Sequence, residues 1–359
     1  MRARFLLLAL CVCVLLLALQ PQLADAKKEK KSKAQSTPAP AESSPPTSAR
    51  DDDPVIRAVR GLRNKAMQAM DKKEYAKSIE TIREAITKMH DRVFGESRQT
   101  ITDPKEQSMD AASYAQLLND YGTVLIRDEQ YEEAVDVLED ASTMMKKIYG
   151  DSHPSYGLAM RSLADAYMAK KEFRQAIDKY KTLRHHVKLG LGITHEAYME
   201  ASLRIAEGYK QLGDIKRAIK VYKKVIKDQD GQVNMETKGM AEIFMELAMA
   251  QNQLNGDIDD AIQNAEAART MFKEREGEES LNYAFSLNAL AGVKMRQHKI
   301  QEAYELLHQA HTIALRLFGK DHKMVQASAK TLKDVKTKMD ELRAAAAAKA
   351  AENAAKDEL

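Results

Sequence analysis

Phe173-Arg174-Gln175-Ala176-Ile177 is one copy of a five-residue pattern that recurs along the chain. An aromatic residue or Ile is followed by two residues that are polar in every copy except for Ala76 in the first, then a small residue, and then Ile, Val or Tyr. Further copies start at Tyr75, Tyr131, Ile215, Ile258 and Ile300. Their small residues are Ser78, Ala134, Ala176, Ala218, Ala261 and Ala303, at spacings of 56, 42, 42, 43 and 42. A second small residue precedes each by twelve or thirteen positions: Ala66, Gly122, Ala164, Ala206, Ala248 and Ala291. Sixteen residues after the small residue come Gly150, Gly192, Asn234, Gly277 and Gly319 in units two to six. Gly and Asn tolerate the left-handed backbone that ends a helix. A fixed period of this size is the mark of a repeat array.

Between the two small residues of a unit lie a helical pattern, a short polar break and a second helical pattern. In the third unit the break is Lys170-Lys171-Glu172, with Leu163, Ala164 and Tyr167 before it and Ala176, Ile177 and Tyr180 after it. Apolar residues at helical spacing give each segment one stripe to bury. Small residues at fixed places let two antiparallel helices approach closely. Each unit is therefore a helical hairpin that must stack on its neighbours.

These positions resemble the tetratricopeptide repeat (TPR). The small residues of both helices match in all six units, and the helix-A Tyr is met by Tyr167 and Tyr209. The 42-residue period is similar to the long repeats of kinesin light chains, as is the junction Tyr149-Gly150-Asp151-Ser152-His153-Pro154, echoed by Phe318-Gly319-Lys320-Asp321-His322. The resemblance implies an all-α, right-handed α-solenoid of about six TPR-like hairpins (about 54–95, 109–150, 155–192, 195–234, 235–277 and 280–319), within 54–322. A capping helix at 323–342 and an Ala-rich extension at 343–355 follow. The extra residues between the first two units, Glu96 to Ser108, are expected to form an exposed loop.

Both ends of the chain carry addresses. Arg2 and Arg4 precede the apolar run Phe5 to Leu19, and Ala24-Asp25-Ala26 is a small-x-small site, so residues 1–26 read as a signal peptide cleaved after Ala26. Fifteen apolar residues are short for a span, which needs about 20; no stable membrane span is expected after cleavage. The chain ends Lys356-Asp357-Glu358-Leu359, an endoplasmic reticulum (ER) retrieval signal read by the KDEL receptor. Residues 27–53, basic and then Pro/Ser-rich, are expected to be a disordered linker.

Composition narrows the chemistry. Cys11 and Cys13 both lie in the leader, so the mature chain is expected to have no disulfide and no thiolate site. The net charge of +3 falls to +2 once Arg2, Arg4 and Asp25 are removed, which gives no support to nucleic acid as a partner. His308 and His311 share a helix face, but no third ligand accompanies them. No catalytic, cofactor-binding or metal site is expected. The protein is expected to be a non-catalytic scaffold, adaptor or co-chaperone of the ER lumen that takes luminal proteins or peptide segments in a concave groove. A self-assembling structural repeat protein is the alternative.

Helix A of each unit should line that groove. Flanking its small residue stand Asn119, Asp120 and Thr123 in unit two, Arg161 and Asp165 in unit three, and Arg204 and Glu207 in unit four. Unit five offers Met245 and Met249, and unit six Asn288. By the resemblance, Asn119 and Asn288 fall where related repeats hold a peptide backbone. The two-carboxylate clamp of some relatives is not carried over, since Met67, Leu158 and Ser162 stand at its places.

Overall fold

The computed structural model describes residues 53–95, 104–151, 153–229, 238–254 and 256–357. The leader, linker residues 27–52 and Asn234 lie outside them. So do Glu358 and Leu359, while Lys356 and Asp357 end the last helix. Asp53, expected to end the linker, instead caps the first helix by accepting from Val55 and Ile56 N–H. Among the described residues every regular element is a helix, and none is long and apolar enough to cross a membrane. The chain divides into two compact units, one ending at Asp214 and the other beginning at Ile215.

The first unit holds α1 (Pro54–Asp71), α2 (Tyr75–Phe94), α3 (Pro104–Arg127), α4 (Tyr131–Tyr149), α5 (Pro154–Ala169), α6 (Phe173–Gly190) and α7 (Glu196–Gln211). Each helix packs on the next in sequence, and α3 also touches α5. The second unit holds α8 (Ile215–Gln229), α9 (Lys238–Gln253), α10 (Ile258–Glu276), α11 (Leu281–Arg296), α12 (Ile300–Phe318) and α13 (Lys323–Asp357). Here α9 packs against α8, α10 and α11, and α13 lies on α12.

The recurring small residues are the points of closest packing. Ser78, Ala134, Ala176, Ala218, Ala261 and Ala303 are all fully buried, and so are Ala66, Ala164, Ala206, Ala248 and Ala291. Where Ser78 replaces Ala, its hydroxyl donates to the Ala66 carbonyl at 2.7 Å, so the polar atom costs little. Gly122 shows how tight the approach is. A Cβ there would sit 2.4 Å from Cγ of the buried Leu138.

Two kinds of backbone turn set the repeat. Between the helices of a hairpin, one residue takes a left-handed conformation: Lys73, Glu129, Lys171, Gly213 and His298, with φ between 62° and 75°. At Lys171 this closes a paired cap, with Lys171 N–H donating to Met168 O at 3.1 Å and Glu172 N–H to Tyr167 O at 2.9 Å. Between hairpins, Gly150, Gly192, Gly277 and Gly319 also have positive φ. Three residues later a side chain caps the next helix. The Nδ1 atoms of His153, His195 and His322 accept from Ser155, Ala197 and Met324 N–H, and Ser280 Oγ accepts from Tyr283 N–H. His153 stacks on Tyr149 with ring centroids 4.2 Å apart, and His322 stacks on Phe318 at 4.6 Å.

The expected loop between the first two units is partly helix. Residues 104–108 open α3, which reaches 24 residues where α5 and α7 have 16. Arg92 on α2 explains the extension. Its guanidinium meets Asp110 at 2.7 Å, Asp53 at 2.8 Å and Glu106 at 3.0 Å, and Asp110 is 1% exposed. A buried carboxylate needs such a partner; winding the extra residues onto α3 brings Glu106 and Asp110 to it.

In the second unit, Met245, Phe272, Tyr283, Leu287 and Ile313 form one apolar cluster. Met295, Ile300, Leu307 and Val335 form another, against which Leu332, Met339 and Leu342 of α13 pack. Arg296 on α11 closes the end of α9, donating to the carbonyls of Gln251, Asn252 and Gly256 at 3.1, 3.2 and 2.6 Å. Beyond Arg343, Ala344 to Ala348 are exposed while the helix continues.

Gly122→Ala is expected to destabilise the chain by about 1–3 kcal/mol through overpacking. Combined with Leu138→Ala, it should cost less than the sum of the single changes, because the truncated side chain vacates the new methyl's space. Urea denaturation of the four proteins checks this; additive losses would remove Leu138 as the contact. At the other turn, Lys171→Gly is expected to stabilise by about 0.5–1 kcal/mol, because glycine has no Cβ to strain at positive φ. A lower denaturation midpoint would contradict it.

Candidate functional site

A cavity of about 390 Å³ opens between α5 and α7, with α6 at its back. Leu158 comes from α5, Leu183 and Val187 from α6, and Leu191 from the turn that follows. Leu158 and Leu191 are 56% and 51% exposed, so the apolar lining is uncovered. Uncovered apolar surface in a concave place marks an interaction site more often than scattered exposed residues do.

One side of the cavity is polar. Arg161 is paired with Glu200, and the Tyr180 hydroxyl donates to Asp165. Arg204 lies beside them. Burial, reinforced by Asp165, pushes the Tyr180 phenol well above its ordinary value, so it stays a hydrogen-bond donor. Burial draws the Arg204 proton affinity down, but the field of Tyr180, Asp165, Glu200 and Glu207 more than offsets that and raises it. Arg204 is exposed at the cavity and keeps its charge.

Three histidines line the cavity: His153, His186 and His195. Two are the caps of α5 and α7 described above, so the turn that spaces the hairpins also supplies cavity wall. His186 on α6 meets Tyr156 edge-on at 5.5 Å and lies 5.8 Å from His185. Burial first, and then His185, lowers the proton affinity of its imidazole.

The structure therefore gathers Arg161, Asp165 and Arg204 at one place and disperses the remaining expected groove residues. Asp120 is buried, bound to Arg63 at 2.5 Å and to Gln116 at 2.9 Å. Asn119 is half-buried rather than open, with a buried side-chain oxygen that has no hydrogen-bond partner. Thr123 donates to the Asn119 carbonyl at 3.0 Å. Glu207 pairs with Lys210 at 3.1 Å. Met245 is a core residue between Phe272 and Tyr283, and half-buried Met249 packs on the same cluster, so the methionines do not form an open strip. Asn288 is half-buried on α11. His311 has its Nδ1 2.7 Å from Ser328 Oγ, and among the described residues no set of three or more His, Cys, Asp or Glu is arranged to hold a metal. The apolar half of the cavity was missed by reading the sequence. Leu158 stands at a place of the two-carboxylate clamp that is not carried over, and Leu191 carries no chemical mark of exposure in the sequence.

Hairpin fold and small-residue register define the class, a helical array that carries tetratricopeptide repeats. The family model of that repeat matches residues 113–184 and, in a second form, 286–322. A solved structure, BtubC (BKLC) from P. vanneervenii, superposes with a TM-score of 0.52 at 15% identity, covering 66% of this chain and 92% of that one. RxLR effector protein SFI4 of Phytophthora infestans (strain T30-4) is 57% identical over 295 residues, which is 82% of this chain and 87% of that protein. The secreted RxLR effector protein RXLR-C07 of Plasmopara halstedii is 56% identical over 291 residues, 81% and 89% of the two chains. The chain belongs to the family of these RxLR effector proteins. The four-residue pattern in their names occurs here as Arg60-Gly61-Leu62-Arg63, inside α1, where Arg63 is the residue tied to Asp120.

His186 yields a pH prediction. Its folded-state proton affinity is lowered from the ordinary 6.5, so the unfolded chain takes up the proton first as pH falls. Its contribution to stability is present above the ordinary value and is lost on acidification below it. Urea midpoints are expected to fall between pH 7.5 and 5.5, and less steeply in His186→Gln. Identical slopes in the two proteins would show that His186 is not a source of the loss.

Proposed function

We propose that this protein is a non-catalytic tetratricopeptide-repeat scaffold that holds a segment of another protein in the concave face of its first unit. One observation carries the reading: Leu158 and Leu191 stand exposed in a cavity that Arg161, Arg204 and Glu200 also line. An apolar centre with a charged rim is the usual anatomy of a protein-binding surface.

A photo-crosslinking residue at Leu158 or Leu191 is expected to trap a discrete partner, whereas one at Glu132 or Arg174, exposed on α4 and α6, traps none. Asn119→Ala with Arg161→Ala should weaken that capture and leave the helical circular dichroism intact. Capture from Glu132 or Arg174 alone would move the binding surface to the other face.

The chain enters the secretory pathway through residues 1–26 and is returned to the ER lumen by Lys356 to Leu359 in this reading. The name of the Plasmopara relative, a secreted protein, supports the first step and supplies the competing outcome for the second. Deleting the last four residues is expected to move the chain from the cell to the medium. An unchanged distribution would overturn retrieval and leave entry standing.

A further inference from the structure

Among the described residues, Arg204 is the charged group lining the cavity that has no bonded counterpart. Glu200 is held by Arg161, Asp165 takes the Tyr180 hydroxyl, and Glu207 is paired with Lys210. Arg204 forms neither a hydrogen bond nor an ion pair within 4.0 Å among the described residues, and its side chain is exposed at the cavity. This decides what can fill the cavity. A wholly apolar occupant would cover guanidinium N–H donors that no protein acceptor meets, which is costly. An occupant with an acceptor at that end avoids the loss. A carboxylate fits best, because it takes two parallel N–H bonds from the planar fork.

Size and lining complete the description. About 390 Å³ falls in the range of small-molecule sites, at its lower end. Leu158, Leu183, Val187 and Leu191 offer apolar surface on three sides, with two of the four largely uncovered. We propose that this cavity is a binding site for a small amphipathic monocarboxylate, its hydrocarbon body among these four side chains and its carboxylate on Arg204. Such a ligand differs from the protein segment proposed above, and either can bind without the other. The small ligand would occupy the apolar half of the same cavity, so the two would compete.

Calorimetric titration of the purified chain with decanoate, kept below its micelle concentration, tests the site. Saturable binding of one decanoate per chain is expected, with decylammonium, of the same tail and opposite charge, weaker by about ten-fold or more. Arg204→Gln should weaken decanoate by about the same factor, and Leu158→Glu should abolish it, with the helical circular dichroism of both unchanged. Should Arg204→Gln fold poorly, Arg204→Lys keeps the charge without the fork and is expected to bind decanoate several-fold more weakly than the parent. Arg174→Gln, outside the cavity, should bind like the parent. Absence of saturable binding, equal binding of decylammonium, or undiminished affinity in folded Arg204 variants would overturn the proposal. Loss of decanoate binding with protein crosslinking from Leu158 intact would sink this site alone; the reverse would sink the protein-holding reading alone.

Discussion

Everything in this fold depends on how closely the two helices of a hairpin approach. Antiparallel helices separated by large side chains would splay, and each unit would present a different surface to the next. Small residues at the contact remove that variable. With Ala66, Ala164, Ala248 or Ala291 on one helix and Ser78, Ala176, Ala261 or Ala303 on the other, the contact is closed to solvent in every case. At Gly122 even a methyl group would overlap Leu138. A fixed separation lets identical turns serve successive hairpins, and those turns set where the next hairpin lies.

The turns link this geometry to the site. A positive-φ glycine followed three residues later by a capping histidine turns the chain from α4 into α5 and from α6 into α7. The two histidines therefore stand at corresponding places on adjacent helices, and both border the cavity. Leu158 and Arg161 on α5, and Glu200 and Arg204 on α7, follow from the same starts and face one space across α6. The cavity is thus a product of repetition, made from one unit's groove wall and the next. Its individual features come from the departures: Leu158 exposed, and Arg204 with no bonded partner among the described residues.

Polar networks fix what apolar packing leaves loose. Arg92 collects three carboxylates from two other places in the chain, and Arg296 closes the end of α9 through three carbonyls. Tyr121 links to Glu133 and Arg83; burial and the Glu133 carboxylate push its phenol up to about 12, so it remains a donor. Each network joins a helix to a neighbour that the apolar stripe alone would allow to slide.

The sequence by itself determined the hairpins, their register and the glycines between them. These follow from short-range rules: helical periodicity, small residues where helices touch, and glycine where φ is positive. It missed the left-handed residues within hairpins, because Lys73, Glu129, Lys171 and His298 carry no chemical mark of that conformation. It also assigned residues 104–108 to a loop, since the Arg92 ion pairs that favour helix there join residues fourteen or more apart. For the site, spacing from the small residue placed Arg161, Asp165 and Arg204 on one wall. Whether Arg161 and Asp165 were free or engaged was decided by Glu200 and Tyr180, which only packing brings into reach. Met245 illustrates the same limit: at helical spacing a core methionine and a groove methionine read alike, and the position of Phe272 and Tyr283 decides between them. Local chemistry is written residue by residue, whereas exposure and pairing belong to surfaces that exist only once the helices have stacked.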